Sequence, residues 1–280
     1  MARLFFLMAI VFFSQITFAN CTVTDDLGKT IQLKQPAQRV MVLSPDLTEI
    51  MYAIGAEKNI VGVISGSDYP KEAKNKLVIG SYTGLDMERI ISLHPDLIIT
   101  WQGNFLRQLR VLASMNIPVY TNYPKQLEDV VKTMKNLACL TNSHEKAKLA
   151  IQQYKKKLLL IREQYQQQKP VTVFYQMGGY ALMTVNQNSW INQAIAICGG
   201  KNIFANAHSI APEVSMESVI AANPAVIISD AEGMDWQSRW QHWPQLKAVS
   251  NHALFTISPD LISRAGPRLI EGAQQICTDL

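Results

Sequence analysis

The longest regular pattern of apolar positions in the chain runs from His144 to Lys169. Lysine and glutamine fill most other positions, which predicts one continuous amphipathic helix. Ser143 is a candidate N-cap, and Pro170 ends the pattern because proline has no amide proton. At about 1.5 Å per residue the helix would be roughly 37 Å long, about the width of a small domain, and we expect it to connect two lobes. The apolar positions recur at steps of three and four: Ala147, Ala150, Ile151, Tyr154, Leu158, Ile161 and Tyr165.

Short apolar runs alternate with helical patterns on both sides of this helix. Such alternation predicts mostly parallel sheets whose functional loops lie at the carboxyl ends of the strands. A short hairpin at residues 21–38 precedes the first buried strand. The predicted strands are residues 39–43, 60–64, 96–100 and 118–120 before the connector, and 171–176, 225–229 and 254–257 after it. The predicted helices are residues 46–55, 105–116 and 126–140 and one after Asp86, then 190–198, 215–222 and a terminal helix to about Cys277.

The two parts of the chain repeat each other in the same order. Glu88 to Thr100 is similar to Glu217 to Ser229, and Ala53 to Ile60 is similar to Ala196 to Ile203. The general pattern of helix, turn and buried strand produces some of this similarity by chance. We predict an α/β fold of two Rossmann-like lobes with mostly parallel sheets, joined by one long rigid helix. The predicted bounds are 20–142 for the N-terminal lobe, 143–169 for the connecting helix and 170–280 for the C-terminal lobe.

The N-terminus has the pattern of a secretory signal peptide at residues 1–19. One positive charge, Arg3, precedes an apolar run from Leu4 to Phe13, and small residues lead to Ala19. The run is too short to span a bilayer, and no later run is long enough. Lipid attachment at Cys21 is the alternative. We expect a protein exported to the periplasm.

Composition and motifs exclude several function classes. Without the signal, which removes Arg3 and no acid, 25 basic residues face 22 acidic residues. This balance lacks the concentrated basic surface of a nucleic-acid-binding protein. The chain has no glycine-rich dinucleotide or phosphate loop and no nucleophile elbow, so we expect no enzyme. The four cysteines suggest two disulfides in an exported chain, with three pairings open, and their spacings do not suit zinc.

Candidate binding residues cluster at the predicted strand ends. The loops of the two lobes should face each other across a cleft, which is a common place for a ligand site. The expected cleft residues are Ser44, Pro45, Asp68, Tyr69, Tyr82, Trp101, Met177, Asp260 and Arg264.

Structural roles remain open for many of these residues. Trp101 and Tyr82 could seal loops in the core, and Asp68 could cap a turn. Arg264 and Arg268 could pair with acids at a helix start. The remaining tryptophans are interpreted as surface or core residues: Trp190, Trp236, Trp240 and Trp243. Among the histidines, His208 is the candidate that could reach a metal on a ligand.

Several blocks resemble a known family. They are Leu43-Ser44-Pro45 with Thr48-Glu49, Ser67-Asp68-Tyr69-Pro70, Met87-Glu88-Arg89-Ile90, Pro95-Asp96-Leu97-Ile98, Cys198-Gly199-Gly200 with Asn202-Ile203-Phe204, and Arg264-Ala265 with Pro267-Arg268. Together they are similar to the helical-backbone family of substrate-binding proteins for ABC importers, and within it to the carriers of cobalamin (vitamin B12). The resemblance spans roughly residues 39–277 in one order.

The resemblance implies a non-covalent ligand held between the lobes and delivered to an inner-membrane permease dimer. It implies no catalysis and no cofactor. Cobalamin is the first expectation, with haem or an iron siderophore as the alternative, because the family binds these too. The sequence departs from the cobalamin carriers at positions where tryptophan or phenylalanine is expected: Tyr82, Met177, Ala211 and Leu261.

The resemblance also implies particular roles for cysteines and glutamates. Cys198 and Cys277 match the family's bridge in the second lobe, which leaves Cys21 and Cys139 for the first. Glu88 and Glu217 match glutamates that meet arginines on the two permease subunits. We expect both glutamates to be exposed on one face of a monomer, away from the ligand.

Overall fold

The computed structural model describes residues 21–165, 167–178 and 181–280. The predicted signal peptide lies outside these residues. Within the described ranges, no helix is both long enough and apolar enough to cross a membrane.

The first lobe is built on a four-stranded parallel sheet with the order β4-β3-β7-β8. The two central strands are apolar at nearly every position because helices cover both faces of the sheet. The predicted strand at 118–120 is shifted and ends at Asn122. The elements are β1 (Cys21–Thr24), β2 (Thr30–Leu33), β3 (Val40–Leu43), α1 (Pro45–Ala53), β4 (Ile60–Val63), β5 (Gly80–Ser81), β6 (Gly84–Leu85), α2 (Met87–Ser92), β7 (Leu97–Trp101), α3 (Leu106–Ser114), β8 (Val119–Asn122) and α4 (Asp129–Thr141).

The predicted N-terminal hairpin is present as the antiparallel pair of β1 and β2. Its turn is held by Asp25, whose carboxylate accepts hydrogen bonds from the backbone amides of Leu27 and Lys29 at 2.9 and 2.8 Å. The hairpin is attached to the lobe by a disulfide between Cys21 and Cys139.

The connecting helix α5 (His144–Tyr165) has 22 residues, about 33 Å of helix. Ala147, Tyr154, Leu158 and Ile161 are its buried residues, and all belong to the predicted apolar stripe. The stripe lies against α4 on one side and the C-terminal helix on the other. The helix ends at Tyr165, earlier than the predicted Lys169; Pro170 disfavours helical conformation at Lys169, which directly precedes it.

The second lobe repeats the first. Its parallel sheet has the order β10-β9-β11-β12, so in both lobes the strands lie in the order second, first, third, fourth. The predicted α/β fold with parallel sheets is confirmed. The elements are β9 (Val171–Gln176), α6 (Trp190–Ile197), β10 (Gly200–Asn202), α7 (Met216–Ala222), β11 (Val226–Ser229), α8 (Gln237–Gln241), α9 (Lys247–Ser250), β12 (Leu254–Thr256), α10 (Pro259–Ile262) and α11 (Leu269–Asp279).

One continuous core joins the two lobes on the side of α5. Successive strand residues point to opposite faces of a sheet, so alternate residues of each central strand enter this shared core. Val40 and Val42 of β3 and Val173 and Tyr175 of β9 belong to it. The residues between them enter separate cores on the far faces of the two sheets. The two lobes therefore share one apolar core on the side of α5.

Candidate ligand-binding site

The cleft between the lobes contains a cavity of about 460 Å³ at the carboxyl ends of the strands. Ser44 directly follows β3 and Trp101 ends β7, so the topology of the first sheet brings them to one edge. The second lobe contributes the start of α6 and the segment around α10. The lining residues are Ser44, Pro45, Asp46, Gly66, Tyr82, Trp101, Asn104, Trp190, Pro259, Asp260, Ser263 and Arg264.

Six of the nine residues predicted for the cleft line this cavity. They are Ser44, Pro45, Tyr82, Trp101, Asp260 and Arg264. Asp68 does not line the cavity but contacts Arg264, which does, at 2.9 Å. Tyr69 lines a separate pocket of about 380 Å³ beside α5. Met177 packs against the shared core and does not line the cavity. Its backbone amide donates a hydrogen bond to the carbonyl of Met183 at 2.8 Å.

Two tryptophans form the aromatic part of the cavity wall. The rings of Trp101 and Trp190 have centroids 5.5 Å apart and meet edge to face at 74°. Each comes from a different lobe. The indole nitrogen of Trp190 donates a hydrogen bond to the carbonyl of Ile262 at 2.9 Å, which fixes the ring at the cavity. Together with Tyr82 they offer flat faces suited to a broad, partly apolar ligand.

The sequence analysis assigned Trp190 to the surface or core, and the structure places it in the cavity wall. Since residues 53–60 match residues 196–203, Trp190 corresponds to Leu47, which is fully buried in the core. The repeat therefore gave no signal for a cavity position, and 13 residues separate Trp190 from the end of β9.

An ion-pair network at the cavity wall joins the two lobes. Arg264 contacts three carboxylates, those of Glu49 at 3.1 Å, Asp68 at 2.9 Å and Asp260 at 2.8 Å. Arg268 binds both oxygens of Glu49, at 2.6 and 2.9 Å, and its guanidinium lies 3.8 Å from the ring centroid of Tyr69. The pairing of Arg264 and Arg268 with acids, weighed from sequence, is thus present, with Arg264 also lining the cavity.

The carboxylate of Glu49 is the centre of this network, and its side chain is only 1% exposed. Sequence reasoning did not select Glu49 as a site residue. Its partners Arg264 and Arg268 are 215 and 219 positions away in the sequence, so no local pattern indicates the contact.

The pKa shifts of the titratable groups at the cavity differ in direction and cause. Burial raises the pKa of Asp46 to about 6, although the hydrogen bond from the Ser44 hydroxyl opposes the shift. Desolvation, followed by the charge of Asp46, raises the pKa of Tyr82. Desolvation alone would raise the pKa of Asp68, but the hydrogen bond and charge of Arg264 outweigh it and lower that pKa. Asp68 is therefore ionised at neutral pH, whereas the carboxyl of Asp46 titrates closer to neutral pH.

Other candidate residues lie outside the cavity wall. Ala211, Leu261 and His208 do not line it. Within the described residues, no group of three or more His, Cys, Asp or Glu side chains is arranged to hold a metal ion. Both disulfides implied by the resemblance are present, Cys21 with Cys139 and Cys198 with Cys277.

Glu88 and Glu217 occupy equivalent places in the two lobes. Each is exposed in the first turn of the helix that precedes the third strand of its sheet. Asp86 and Ser215 cap these helices by accepting hydrogen bonds from the backbone amides of Arg89 and Ser218. Backbone hydrogen bonding at the start of α7 and a hydrogen bond from Ser215 lower the pKa of Glu217, which keeps it ionised.

Comparisons with known proteins agree with this geometry. The sequence model of the periplasmic binding protein family matches residues 40–261. The vitamin B12-binding protein of Vibrio parahaemolyticus is 32% identical over 269 residues, which cover 95% of this chain and 93% of that protein. The crystal structure of the periplasmic vitamin B12-binding protein of Vibrio cholerae, also 32% identical, superposes with a TM-score of 0.79 over 87% of this chain and 96% of that one. A structure described as a possible iron-binding periplasmic solute-binding protein, from Staphylococcus epidermidis, is 27% identical with a TM-score of 0.77 over 88% of this chain and 99% of that one.

Proposed function

The chain belongs to the periplasmic binding protein family, and from this premise we propose that it captures cobalamin (vitamin B12) in the interlobe cleft and delivers it to an ABC importer. The family and the relatives are binding proteins and not enzymes, as the sequence predicts. Identity of 32% over nearly the full length of a vitamin B12-binding relative supports the choice of ligand.

The observation that carries the proposal is the edge-to-face pair of Trp101 and Trp190 in the cavity wall. A corrin is a broad ring with apolar faces and a periphery of amides. Rigid aromatic side chains bury such a ring at little cost in conformational entropy. Tyr82, which is 59% exposed, has most of its side chain available to a ligand. Binding is non-covalent and requires no cofactor.

Delivery requires release of the ligand rather than a chemical step. Proteins of this family work with ABC permeases. The stiff helix α5 and the shared core limit closure of the lobes to a small movement. The expected site of action is the periplasm, reached through the signal peptide at residues 1–19. We propose that a monomer docks Glu88 and Glu217 on basic residues of the two subunits of a permease dimer.

Haem or an iron siderophore is the second candidate ligand. The observation that favours it is the similarity, at 27% identity, to the Staphylococcus epidermidis protein described as a possible iron-binding periplasmic solute-binding protein. The Tyr82 hydroxyl lies in the cavity wall and is an oxygen that could face an iron centre.

The proposal is tested by titrating the mature chain, residues 20–280, with cyanocobalamin in a calorimeter. We expect one ligand bound per monomer, and we expect excess haem not to displace it. Absence of binding would contradict the proposal. Saturable binding of haem in its place would support the second candidate.

A further inference from the structure

The cavity wall contains one carboxylate with an unused hydrogen-bonding position. Asp46 lies in the first turn of α1, at the carboxyl end of β3, and its side chain is 4% exposed. The Ser44 hydroxyl donates to its Oδ1. Its Oδ2 is buried and has no hydrogen-bond partner among the described residues. A buried polar atom of this kind is costly unless a partner is supplied.

No cationic side chain in the described part of the chain pairs with Asp46. Arg264, the guanidinium in the cavity wall, is already contacted by Asp260, Asp68 and Glu49. The second guanidinium of the network, that of Arg268, is occupied by Glu49. Three carboxylates therefore contact these two guanidinium groups, and Asp46 adds a fourth acid in the cavity wall. A ligand carboxylate entering this part of the cleft would meet excess negative charge rather than an available arginine.

The ionisation of Asp46 agrees with a role as hydrogen-bond acceptor. Its pKa of about 6 leaves the carboxyl mostly ionised at neutral pH despite its burial. An ionised carboxylate only accepts hydrogen bonds, so a matching ligand group must donate one. An amide N–H satisfies this requirement, and a carboxylate does not.

We propose that Asp46 determines ligand specificity, its Oδ2 accepting a hydrogen bond from a peripheral amide of the ligand and its charge excluding ligands that carry a carboxylate there. This inference rests on the proposed function, because it concerns the same cavity. It gives a role to an acid in a cavity wall that also contains two tryptophans, where an apolar residue would pack without an unpaired oxygen. It also separates amide-fringed corrins from haem, whose propionates are carboxylates at neutral pH.

The test compares cyanocobalamin with its monocarboxylic acids, in which one propionamide of the corrin is hydrolysed to a carboxylate. Affinities are measured by calorimetry at neutral pH for the wild-type chain, Asp46→Asn and Asp235→Asn. Asp235 is an exposed acid outside the cavity and serves as the matched control. Asparagine keeps the shape of Asp46 and removes its charge.

We expect the wild-type chain to bind at least one monocarboxylic acid about tenfold or more weakly than cyanocobalamin, because like charges are brought together. In Asp46→Asn this ratio should fall to about threefold or less, and Asp235→Asn should keep the wild-type ratio. Circular dichroism checks that each variant folds. If Asp46→Asn does not fold, Asp46→Ala replaces it, and we expect Asp46→Ala to shift the affinity ratio in the same direction.

Two outcomes would overturn the inference alone: equal binding of every monocarboxylic acid and cyanocobalamin by the wild-type chain, or ratios that Asp46→Asn leaves unchanged. Failure of the wild-type chain to bind cyanocobalamin at all would overturn the proposed function, and this inference with it.

Discussion

Arg268 of the second lobe holds both carboxylate oxygens of Glu49 in the first lobe, with its Nη2 2.6 Å from Oε1 and its Nε 2.9 Å from Oε2. The side chains are 14% and 1% exposed, so water screens this ion pair little. Oε1 of Glu49 also accepts a hydrogen bond from Arg264. One carboxylate thus contacts two cations of the other lobe.

Removing the charge of Glu49 should destabilise the protein strongly. Glu49→Gln leaves Arg268 without a carboxylate, and breaking a buried ion pair typically costs about 3 to 5 kcal/mol. We expect the free energy of unfolding, measured by urea titration, to fall by about 3 kcal/mol or more. Glu163→Gln, at an exposed position of α5, is the control. Equal stability of the two variants would contradict the role assigned to Glu49.

Shortening Trp101 should weaken ligand binding. Trp101→Ala removes one of the two edge-to-face rings at the cavity, and exposing or burying a large apolar side chain changes the free energy by about 1 to 3 kcal/mol. We expect the dissociation constant for cyanocobalamin to rise accordingly in calorimetry. Trp243→Ala, in a partly buried ring of the second lobe away from the cavity, should leave it unchanged. Equal affinity of both variants would remove Trp101 from the site.

Asp46 should make the ligand-free protein less stable as pH rises. Its pKa is raised from 3.8 to about 6 by burial, so between these values the folded protein binds more protons than the unfolded chain. The free energy of unfolding contributed by this group therefore falls from about pH 4 to pH 6. At about pH 7, Asp46→Asn should be more stable than wild type by up to about 3 kcal/mol, because one pKa unit is about 1.4 kcal/mol.

The measurement is thermal unfolding of the wild type, Asp46→Asn and Asp235→Asn without ligand, at several pH values. The advantage of Asp46→Asn should disappear near about pH 4, where the carboxyl is neutral in both states. A variant less stable than wild type at neutral pH would show that the charge is well solvated in the folded protein.

The disulfide between Cys198 and Cys277 should contribute substantially to stability. Its cysteines are 79 positions apart, and closing a loop of this length contributes about 4 kcal/mol in the chain-entropy model. Replacing both cysteines by alanine should lower the free energy of unfolding by up to this amount. Peptide mapping under non-reducing conditions checks the pairing itself, and a free thiol at Cys198 would be incompatible with it.

Docking is tested by Glu88→Ala combined with Glu217→Ala. We expect transport to be lost while ligand affinity stays within about twofold, since surface charges that meet a partner lie apart from the ligand. The matched control is the pair Glu72→Ala and Glu163→Ala, two other exposed glutamates. If the glutamates only stabilise their helices, the double variant will melt earlier and still support uptake.

The sequence predicted the elements of the fold because their signals are local. The stripe from Ala147 to Tyr165 indicated α5, and its buried members face the shared core. The strands β3 and β7 were recognised as apolar runs between helices. Their order in the sheet depends on pairing between distant segments, which no local pattern encodes. The repeat did predict that both lobes would share one arrangement.

The cavity was less predictable than the fold. Trp101 was found because it directly follows a predicted strand. Trp190 was missed because it starts helix α6, 13 residues after the end of β9, where no strand-end pattern marks it. Glu49 and Asp46 were missed for a different reason. Their environment is created by residues of the other lobe and by burial at the start of α1, so a carboxylate there looks like any acid near a helix N-terminus.

Because α5 separates the two lobes along the chain, the two disulfides can form in sequence order. All strands of the first sheet precede this helix, and all strands of the second follow it. Cys139, the second cysteine of the first disulfide, comes before Cys198, the first cysteine of the next. A chain entering an oxidising compartment from its N-terminus therefore has both partners of the first disulfide present before either cysteine of the second arrives. Pairing the cysteines in order of their arrival gives the native bridges, without reshuffling between the halves.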